Sequence, residues 1–574
     1  METMELFSAH LTERPEVQNL LTPIRFAQEE PEARATRRIT EIFRAGRPAN
    51  CLFSGGKDSS VLLSLVLNAA RDFKASGGNV PPIYILHSQT GVENPEVSAL
   101  AYSEIKKMRQ YAQKHGLDVT ILLGQPALNE SWPVRTLGGR ALPSFGSTRA
   151  DCTTDLKIAV SNRLIASAKQ QVLAAGGIWK DPVLMTGVRS DESAVRDTKI
   201  AARGEVAEGI WLNDYGEMRA SPILDFESDD VFAYLAYCSS GAIESYSDFK
   251  MTLELYAAAS GTSCVIVADM RSAAIRKPCG ARTGCWSCTR VQDDRSMHQM
   301  IDSEPARYSY MRPLARLRDF ISNSQYDWSR RQFVGRSISP DGHIEVGADT
   351  YSPEMLQDLF VYTLTAERLS GVQIMSLEQI IAIDARWSMY GLWPPFYALK
   401  LLAGVEEGGL KEAPIIERVP KSDVPKVGRI HVGTSWYEAT GLNSVAGLRD
   451  IGMELFHESC GVALRALANG ALVADYEDGD RFSVDAEGAG DFIGVLAEDY
   501  IERYCHIANG DWTEGFKTYL RMGIITVAKG QSRSTDEILR RTQWRQQHGL
   551  HGQQNLQDLI ARCTVLYQRQ QQLI

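Results

Sequence analysis

The sequence predicts an α/β protein built on a doubly wound parallel sheet, followed by a helical cysteine-cluster region and an additional C-terminal α+β region. Short apolar runs alternate with helix-length amphipathic stretches in the first 240 residues, a glycine pair closes the first run just before a helix, and the alternation fades after about Asp225. At 574 residues the chain is longer than a single core grows, so two or three domains are expected.

Residues 1–42 read as an N-terminal helical extension, in which "EEPEARATRRITEIFRAG" has helical periodicity closing at Gly46. The α/β domain is drawn at 43–240. There "ANCLFS" is a first strand and "SSVLLSLVLNAARDF" a buried helix; "PPIYILHSQT" is a second strand and "PEVSALAYSEIKKMRQYAQKHG" a helix stopped by glycine. "LDVTILLG" gives a third strand, "LKIAVSNRLIASAKQQVLAAGG" another helix and "DPVLMTGVR" a fourth strand. The cysteine-cluster and basic helical domain is drawn at 241–403, with helices dominating from Tyr351. Residues 404–429, rich in glycine, proline and charge, read as a linker. Residues 430–574 mix strand-like pieces such as "ALVADYEDGDRFSVD" with helices and end in a glutamine-rich tail.

Hydrophobic residues make up 44% and charged residues 23%, as in soluble globular chains. No run of about 18 apolar residues occurs, so no membrane association is expected. The N-terminus "METMELFSAHLTERPEV" has acids where a secretory signal places lysines, and a cytoplasmic location is expected. In that reducing setting, clustered members of the ten cysteines read as metal ligands or reaction centres.

The net charge of −10 argues against a coat of nucleic-acid-binding charge. Arg271 to Arg336 is nevertheless rich in arginine, with Trp286, Tyr308, Tyr310, Trp328 and Phe333 interleaved. This belt reads either as a solvated basic face or as a phosphate-tracking surface with stacking residues.

"CLFSGGKDSSVLL", Cys51 to Leu63, carries a lysine beside two glycines. A Walker loop needs glycine six positions before the lysine and Ser or Thr just after it; Cys51 and Asp58 stand there instead. What remains is S-G-G-x-D-S, Ser54, Gly55, Gly56, Lys57, Asp58 and Ser59, between a strand and a helix start. Backbone N–H groups, bared by glycine and backed by the helix dipole, suit a phosphate there.

"KPCGARTGCWSCTR" holds Cys279, Cys285 and Cys288, with Cys264 upstream. The C-x-x-C pair turns two thiolates to one centre and the other two complete a four-sulfur site, suited to zinc or an iron–sulfur cluster. Cys152, in a polar stretch between cationic residues, reads as a reactive thiolate or persulfide carrier, or as a ligand replacing Cys264. Cys51, Cys238, Cys460, Cys505 and Cys563 read as small core residues.

Ser54 to Ser59 resembles the PP-loop of the ATP pyrophosphatase superfamily, whose fold is of the adenine nucleotide alpha hydrolase-like type. Three further segments resemble those of phosphoadenosine-phosphosulfate (PAPS) reductases. They are "HSQTGVENPEV", with Thr90, Gly91, Glu93 and Pro95 in place but Ser88-Gln89 where an acid is usual; "STRADCTTDLKI", with Arg149, Cys152 and Lys157; and "MTGVRSDESAVR", with Gly187, Arg189, Glu192, Ser193 and Arg196. With G-C-W-x-C-T added, residues 43–399 resemble the DndC/SspD-like family of DNA phosphorothioation sulfurtransferases.

The resemblance implies ATP, with Mg²⁺, cut between its α and β phosphates, so that AMP activates a DNA backbone oxygen that sulfur then replaces. It implies a 4Fe-4S cluster, with zinc the alternative, on Cys264, Cys279, Cys285 and Cys288. It implies as partners DNA, a cysteine desulfurase and other subunits of a modification complex. Lys57, Asp58, Cys152 and Arg189 would be catalytic, and Ser54, Gly55, Gly56, Ser59, Thr90 and Gly187 would join Lys57, Asp58 and Arg189 around the nucleotide. The rival readings are a PAPS reductase, a tRNA thiolase and a non-catalytic ATP-sensing subunit.

Overall fold

A computed structural model describes residues 29–145, 151–192, 194–260, 283–339, 341–425 and 510–547, with short pieces at 430–431, 464–466, 472–474 and 549–550 and single residues at 561, 565 and 568. Arg149, Ser193, Cys264, Cys279, Cys460, Cys505 and Cys563 lie outside the described residues. The chain forms two units: residues 1–127 with 146–315, and residues 128–145 with 316–574.

The first unit is built on a six-stranded sheet of order β3-β2-β1-β4-β6-β5. Its strands are β1 (Ala49–Phe53), β2 (Ile83–Ser88), β3 (Val119–Gly124), β4 (Val183–Met185), β5 (Trp211–Leu212) and β6 (Met218–Ala220). All neighbours pair in parallel except β5 and β6. Ala49 pairs with both Ile83 and Val183, so β1 is central, and strand order reverses between β1 and β4. In doubly wound sheets that reversal opens a crevice at the carboxyl ends of the strands.

Helices follow from the sequence pattern. In α1 (Pro31–Arg44), Ala35, Arg38, Ile39, Ile42 and Phe43 form one buried stripe. The Arg38 guanidinium crosses that stripe to Glu208 at 2.8 Å, Asp225 at 2.7 Å and the Pro222 carbonyl at 2.8 Å. The next helix, α2 (Lys57–Ala75), is buried along every face from Ser59 to Ala70, as expected of a helix between a sheet and other helices. Asn94 caps α3 (Pro95–His115) by accepting the Glu96 N–H at 3.0 Å; Pro95 opens it and left-handed Gly116 ends it.

In the second unit, α4 (Trp132–Thr136) packs against a later helix, described below. The first unit resumes with one helical turn, α5 (Asp151–Thr153), a π-turn at Thr154–Ile158, and α6 (Ala159–Ala174). Leu52, Tyr84, Leu86 and Leu122 face Leu164, Ile165 and Ala168 of α6. The unit is completed by α7 (Ala194–Ala202), α8 (Ser228–Ser240), α9 (Lys250–Ser260), α10 (Arg295–Ser303) and α11 (Pro305–Tyr308), and the division between units falls within α12 (Arg312–Asn323).

In the second unit, β7 (Arg331–Ile338) and β8 (His343–Tyr351) make an antiparallel hairpin that the sequence reading did not anticipate. Its signal was present in "SPDGH", where Gly342 adopts φ +75° and Ser339 N–H donates to the His343 carbonyl at 2.9 Å. Helices α13 (Pro353–Ser370), α14 (Leu377–Tyr390), α15 (Tyr397–Glu406), α16 (Glu514–Arg521) and α17 (Ser532–Gln547) follow. Their core joins Ala385 and Met389 of α14 to Phe516, Tyr519 and Leu539, and Trp387 Nε1 donates to the Leu137 carbonyl beside α4 at 2.7 Å. No helix among the described residues is long and apolar enough to cross a membrane.

Among its described residues, the arginine and aromatic belt is partly core. Trp286, Tyr308, Arg318 and Arg331 are buried within their own units, and Arg331 lies against the rings of Phe145 and Tyr351. Arg316 is tied to Glu412 at 2.8 Å and Arg330 to Asp327 at 2.9 Å. Long side chains with apolar stems serve as core and bracing here, which a count of arginines along the sequence does not register. Arg290, Arg295, Arg307 and Arg312 are exposed.

Candidate phosphate loop and cysteine turn

The loop from Ser54 to Ser59 sits at the strand reversal, between the end of β1 and the start of α2. Gly55 has φ +78°, and a β-carbon there would lie 2.9 Å from that of Ala101 and 3.2 Å from the Val97 carbonyl. Glycine is therefore required twice, by backbone conformation and by space. The Ser54 and Ser59 hydroxyls meet at 3.1 Å, and Ser59 Oγ also donates to the Gly56 carbonyl at 2.9 Å. No side chain caps α2 at Gly56. The first N–H of this long buried helix, that of Lys57, donates to Tyr256 at 3.2 Å, and the helix start with its positive dipole end lies at the crevice, which favours an anion.

Gly187, just past β4, closes the other side. A β-carbon there would stand 3.0 Å from the Asp58 carbonyl and 3.1 Å from the Ser59 nitrogen. Only glycine lets the β4 end come this near the start of α2.

Lys57, Asp58 and Arg189 form one charged cluster. Lys57 Nζ meets both Asp58 carboxylate oxygens at 2.9 Å, and Arg189 Nε donates to Asp58 Oδ1 at 2.7 Å. Arg189 is only 1% exposed, and its Nη1 also donates to the Phe226 carbonyl at 3.2 Å. Ser228 lies 3.4 Å from its Nη2 and donates through N–H and hydroxyl to Asp191 at 3.0 and 2.9 Å, which holds the Asp191 carboxyl below its usual range. Sequence reasoning placed Arg189 at the crevice but missed Ser228 and Phe226, which brace it from the start of α8.

The polar turn after β2 meets the other segments. Glu93 Oε1 accepts the Thr90 N–H at 2.7 Å and the Thr90 hydroxyl at 2.6 Å, so Thr90 is buried and engaged within the turn. Gln89 accepts from Gln125 at 3.0 Å, and the Ser88 hydroxyl donates to the Leu156 carbonyl in the π-turn at 2.6 Å. The C-x-x-C segment docks on the same turn. Glu93 pairs with Cys285 in an antiparallel bridge, Trp286 N–H donates to the Val92 carbonyl at 2.9 Å, and Cys288 N–H closes onto the Cys285 carbonyl at 2.9 Å.

Cys152 belongs to the single helical turn α5 rather than to the loop expected from the sequence; the following π-turn continues the helix through the polar residues. It is half-buried, as are Cys285 and Cys288. Burial pushes the Cys285 thiol up to about 12; Lys157 opposes that rise, while Glu93, Cys288 and Cys152 add to it. The thiols of Cys152, Cys285 and Cys288 thus share one electrostatic neighbourhood with Lys157. Among the described residues, no three His, Cys, Asp or Glu side chains are grouped as a metal site, and Cys264 and Cys279 lie outside them. Cys51 and Cys238 are buried thiols, pushed up by burial to about 12 and about 11, and act as core residues.

One residue that the sequence gave no reason to choose reaches the loop. Tyr256 of α9 accepts the Lys57 backbone N–H at 3.2 Å. The two are 199 positions apart, and the segment around Tyr256 resembles any amphipathic helix.

Residues 48–290 match the phosphoadenosine phosphosulfate reductase domain. No curated protein matches the chain. Among solved structures, FMN adenylyltransferase from Candida glabrata, in complex with FMN and the ATP analogue AMPCPP, is similar at 12% identity and a TM-score of 0.21 over 38% of this chain. The chain spans 60% of the length of that enzyme. The U34-tRNA thiolase NcsA from Methanococcus maripaludis, with its [4Fe-4S] cluster, is similar at 13% identity and a TM-score of 0.21, over 38% of this chain and 69% of the thiolase.

Proposed function

We propose that this chain, in which residues 48–290 form a PAPS reductase-like domain, is an ATP pyrophosphatase that activates a phosphate oxygen of DNA for replacement by sulfur. The observation that carries the reading is the start of α2, where Gly56 supplies no side-chain cap, behind left-handed Gly55 at the point where strand order reverses. That cradle suits the two terminal phosphates of ATP, supplied with Mg²⁺, as they leave together.

Lys57 neutralises the charge that develops on the leaving group. Asp58, tied to Lys57 and Arg189, fixes the loop's geometry, and Arg189 holds Asp58. Fixed donors and cations of this kind supply most of the rate in phosphoryl chemistry. A DNA phosphate oxygen attacks the α phosphorus, an oxygen–phosphorus bond forms, and pyrophosphate departs. Sulfur delivered by a cysteine desulfurase partner as a persulfide, and released to the sulfide level by a thiol reductant, then forms a phosphorus–sulfur bond. AMP leaves with the original oxygen.

Cys285 and Cys288, held on the turn after β2, would carry a 4Fe-4S cluster with Cys264 and Cys279, and Cys152, whose charge bears on Cys285, would accept sulfur or serve as a ligand. Such a cluster supplies a polarised site for a sulfur atom. Exposed Arg290, Arg295, Arg307 and Arg312 suit the DNA backbone and the other subunits of a modification complex.

The test is pyrophosphate release from ATP by wild type and Lys57→Ala, with DNA and a desulfurase present. The variant is expected to lose at least about 100-fold in rate, in line with removal of a transition-state charge contact. Equal release refutes the reading. Mass spectrometry of nucleosides from cells with and without the gene then reports the acceptor: sulfur in the backbone linkage supports it, and sulfur in a base overturns the DNA assignment.

A further inference from the structure

Tyr256 holds the phosphate loop from a helix whose placement is fixed elsewhere. That helix, α9, begins after Phe249, a fully buried residue with φ +52°. A bulky residue in the left-handed region is an outlier that its surroundings must impose. Here the Phe249 N–H donates to Ser247 Oγ at 3.1 Å and its ring meets Tyr246 edge-on at 5.2 Å.

Two turns further on, Tyr256 sets its phenol oxygen against the loop. It accepts the Lys57 N–H at 3.2 Å, and the same oxygen lies 3.3 Å from where a Gly56 β-carbon would be. The Tyr256 ring meets Phe232 edge-on, and both rings stand 5.8 Å from Lys57 Nζ. One tyrosine, 5% exposed, thus engages both the backbone and the ammonium of Lys57.

The Lys57 N–H is the first of α2, one of the four donors that a helix leaves without an internal acceptor. An anion seated at a helix start takes these donors. We infer that Tyr256 is a positioning residue for the phosphate loop: its phenol oxygen holds an N–H that pyrophosphate also needs, so the anion and the anchor of α9 compete. The inference rests on the pyrophosphate reading above. Ser260 ends α9, and residues 261–282, with Cys264 and Cys279, follow it directly in the sequence. Occupancy of the loop therefore bears on the anchoring of the helix that leads into the cysteine segment.

Titration calorimetry of the full chain with inorganic pyrophosphate and Mg²⁺ tests this on wild type and Tyr256→Phe. The variant keeps the ring and removes the competing oxygen, so it is expected to bind pyrophosphate roughly 2- to 10-fold tighter, the worth of one hydrogen bond. A purely structural role would not produce a gain. Unchanged or weaker binding by Tyr256→Phe, with the wild type binding, overturns this inference and leaves the pyrophosphatase reading standing. No binding by the wild type overturns both. Should the variant not fold, hydrogen exchange of residues 250–260 in the wild type decides: faster exchange with pyrophosphate supports the competition, and unchanged or slower exchange refutes it.

Discussion

Asp58→Ala removes a carboxylate that holds two buried cations. Lys57 and Arg189 are 5% and 1% exposed, and Asp58 receives them at 2.9 and 2.7 Å. Truncating one partner of a buried pair costs about 3–5 kcal/mol, because the remaining charge is stranded. The Asp58 side chain is 21% exposed, so water reaches it and the lower end applies, about 3 kcal/mol. A unit of this size loses roughly 2–4 °C of melting temperature per kcal/mol, which gives a fall of about 6–12 °C. Scanning calorimetry of the full chain reads it in the transition of the unit that holds the sheet. The double variant Asp58→Ala/Arg189→Met removes the stranded guanidinium as well, and is expected to recover at least about 1 kcal/mol relative to the sum of the single changes. A melting temperature unmoved by Asp58→Ala, or strict additivity in the double variant, refutes the claim that the cluster is one coupled unit.

Gly187→Ala places a methyl group 3.0 Å from the Asp58 carbonyl, against backbone that cannot swing away. It is expected to destabilise by about 1–3 kcal/mol, and to slow pyrophosphate release by up to about 100-fold through displacement of the loop; a native rate with a native melting point counts against the close approach. In the second unit, burial pushes the Asp384 carboxyl up to about 6 from its ordinary 3.8, outweighing the Ala398 and Phe396 N–H groups and the Tyr519 hydroxyl that donate to it. Because the folded value is the higher, the stability from this group is fully present below about pH 4 and is lost as pH rises through about 6. Between those limits the wild type should lose on the order of 3 kcal/mol relative to Asp384→Asn, measured by denaturation at each pH; parallel curves refute it.

The first unit was legible because its signals are local. The strands β1 to β4 are short apolar runs, α1 carries its stripe and α3 its caps in adjacent residues, and the glycines at 55 and 187 mark places where backbone must pass close to backbone. The phosphate loop could be separated from a Walker loop by two positions alone, Cys51 and Asp58. What was not legible depends on partners distant in the sequence. Tyr256 acts on Lys57 across the fold, Phe226 and Ser228 brace Arg189 from the chain that enters α8, and Arg318 and Arg331 look like surface charge until the core is seen to contain them. The β7–β8 hairpin was missed for a different reason: its first strand overlaps the stretch read for its arginines, and its turn at 339–343 lies just past that stretch.

The reversal of strand order decides which distant segments meet beside the phosphate loop. Chain leaving β2 carries Glu93, and chain leaving β6 passes through α8 and α9 before Cys285 bridges to it, so pieces far apart in the sequence close on one turn. A substitution in that turn is therefore expected to be felt at the Cys285 and Cys288 thiols, while the glycine floor and its charged brace stay as they are.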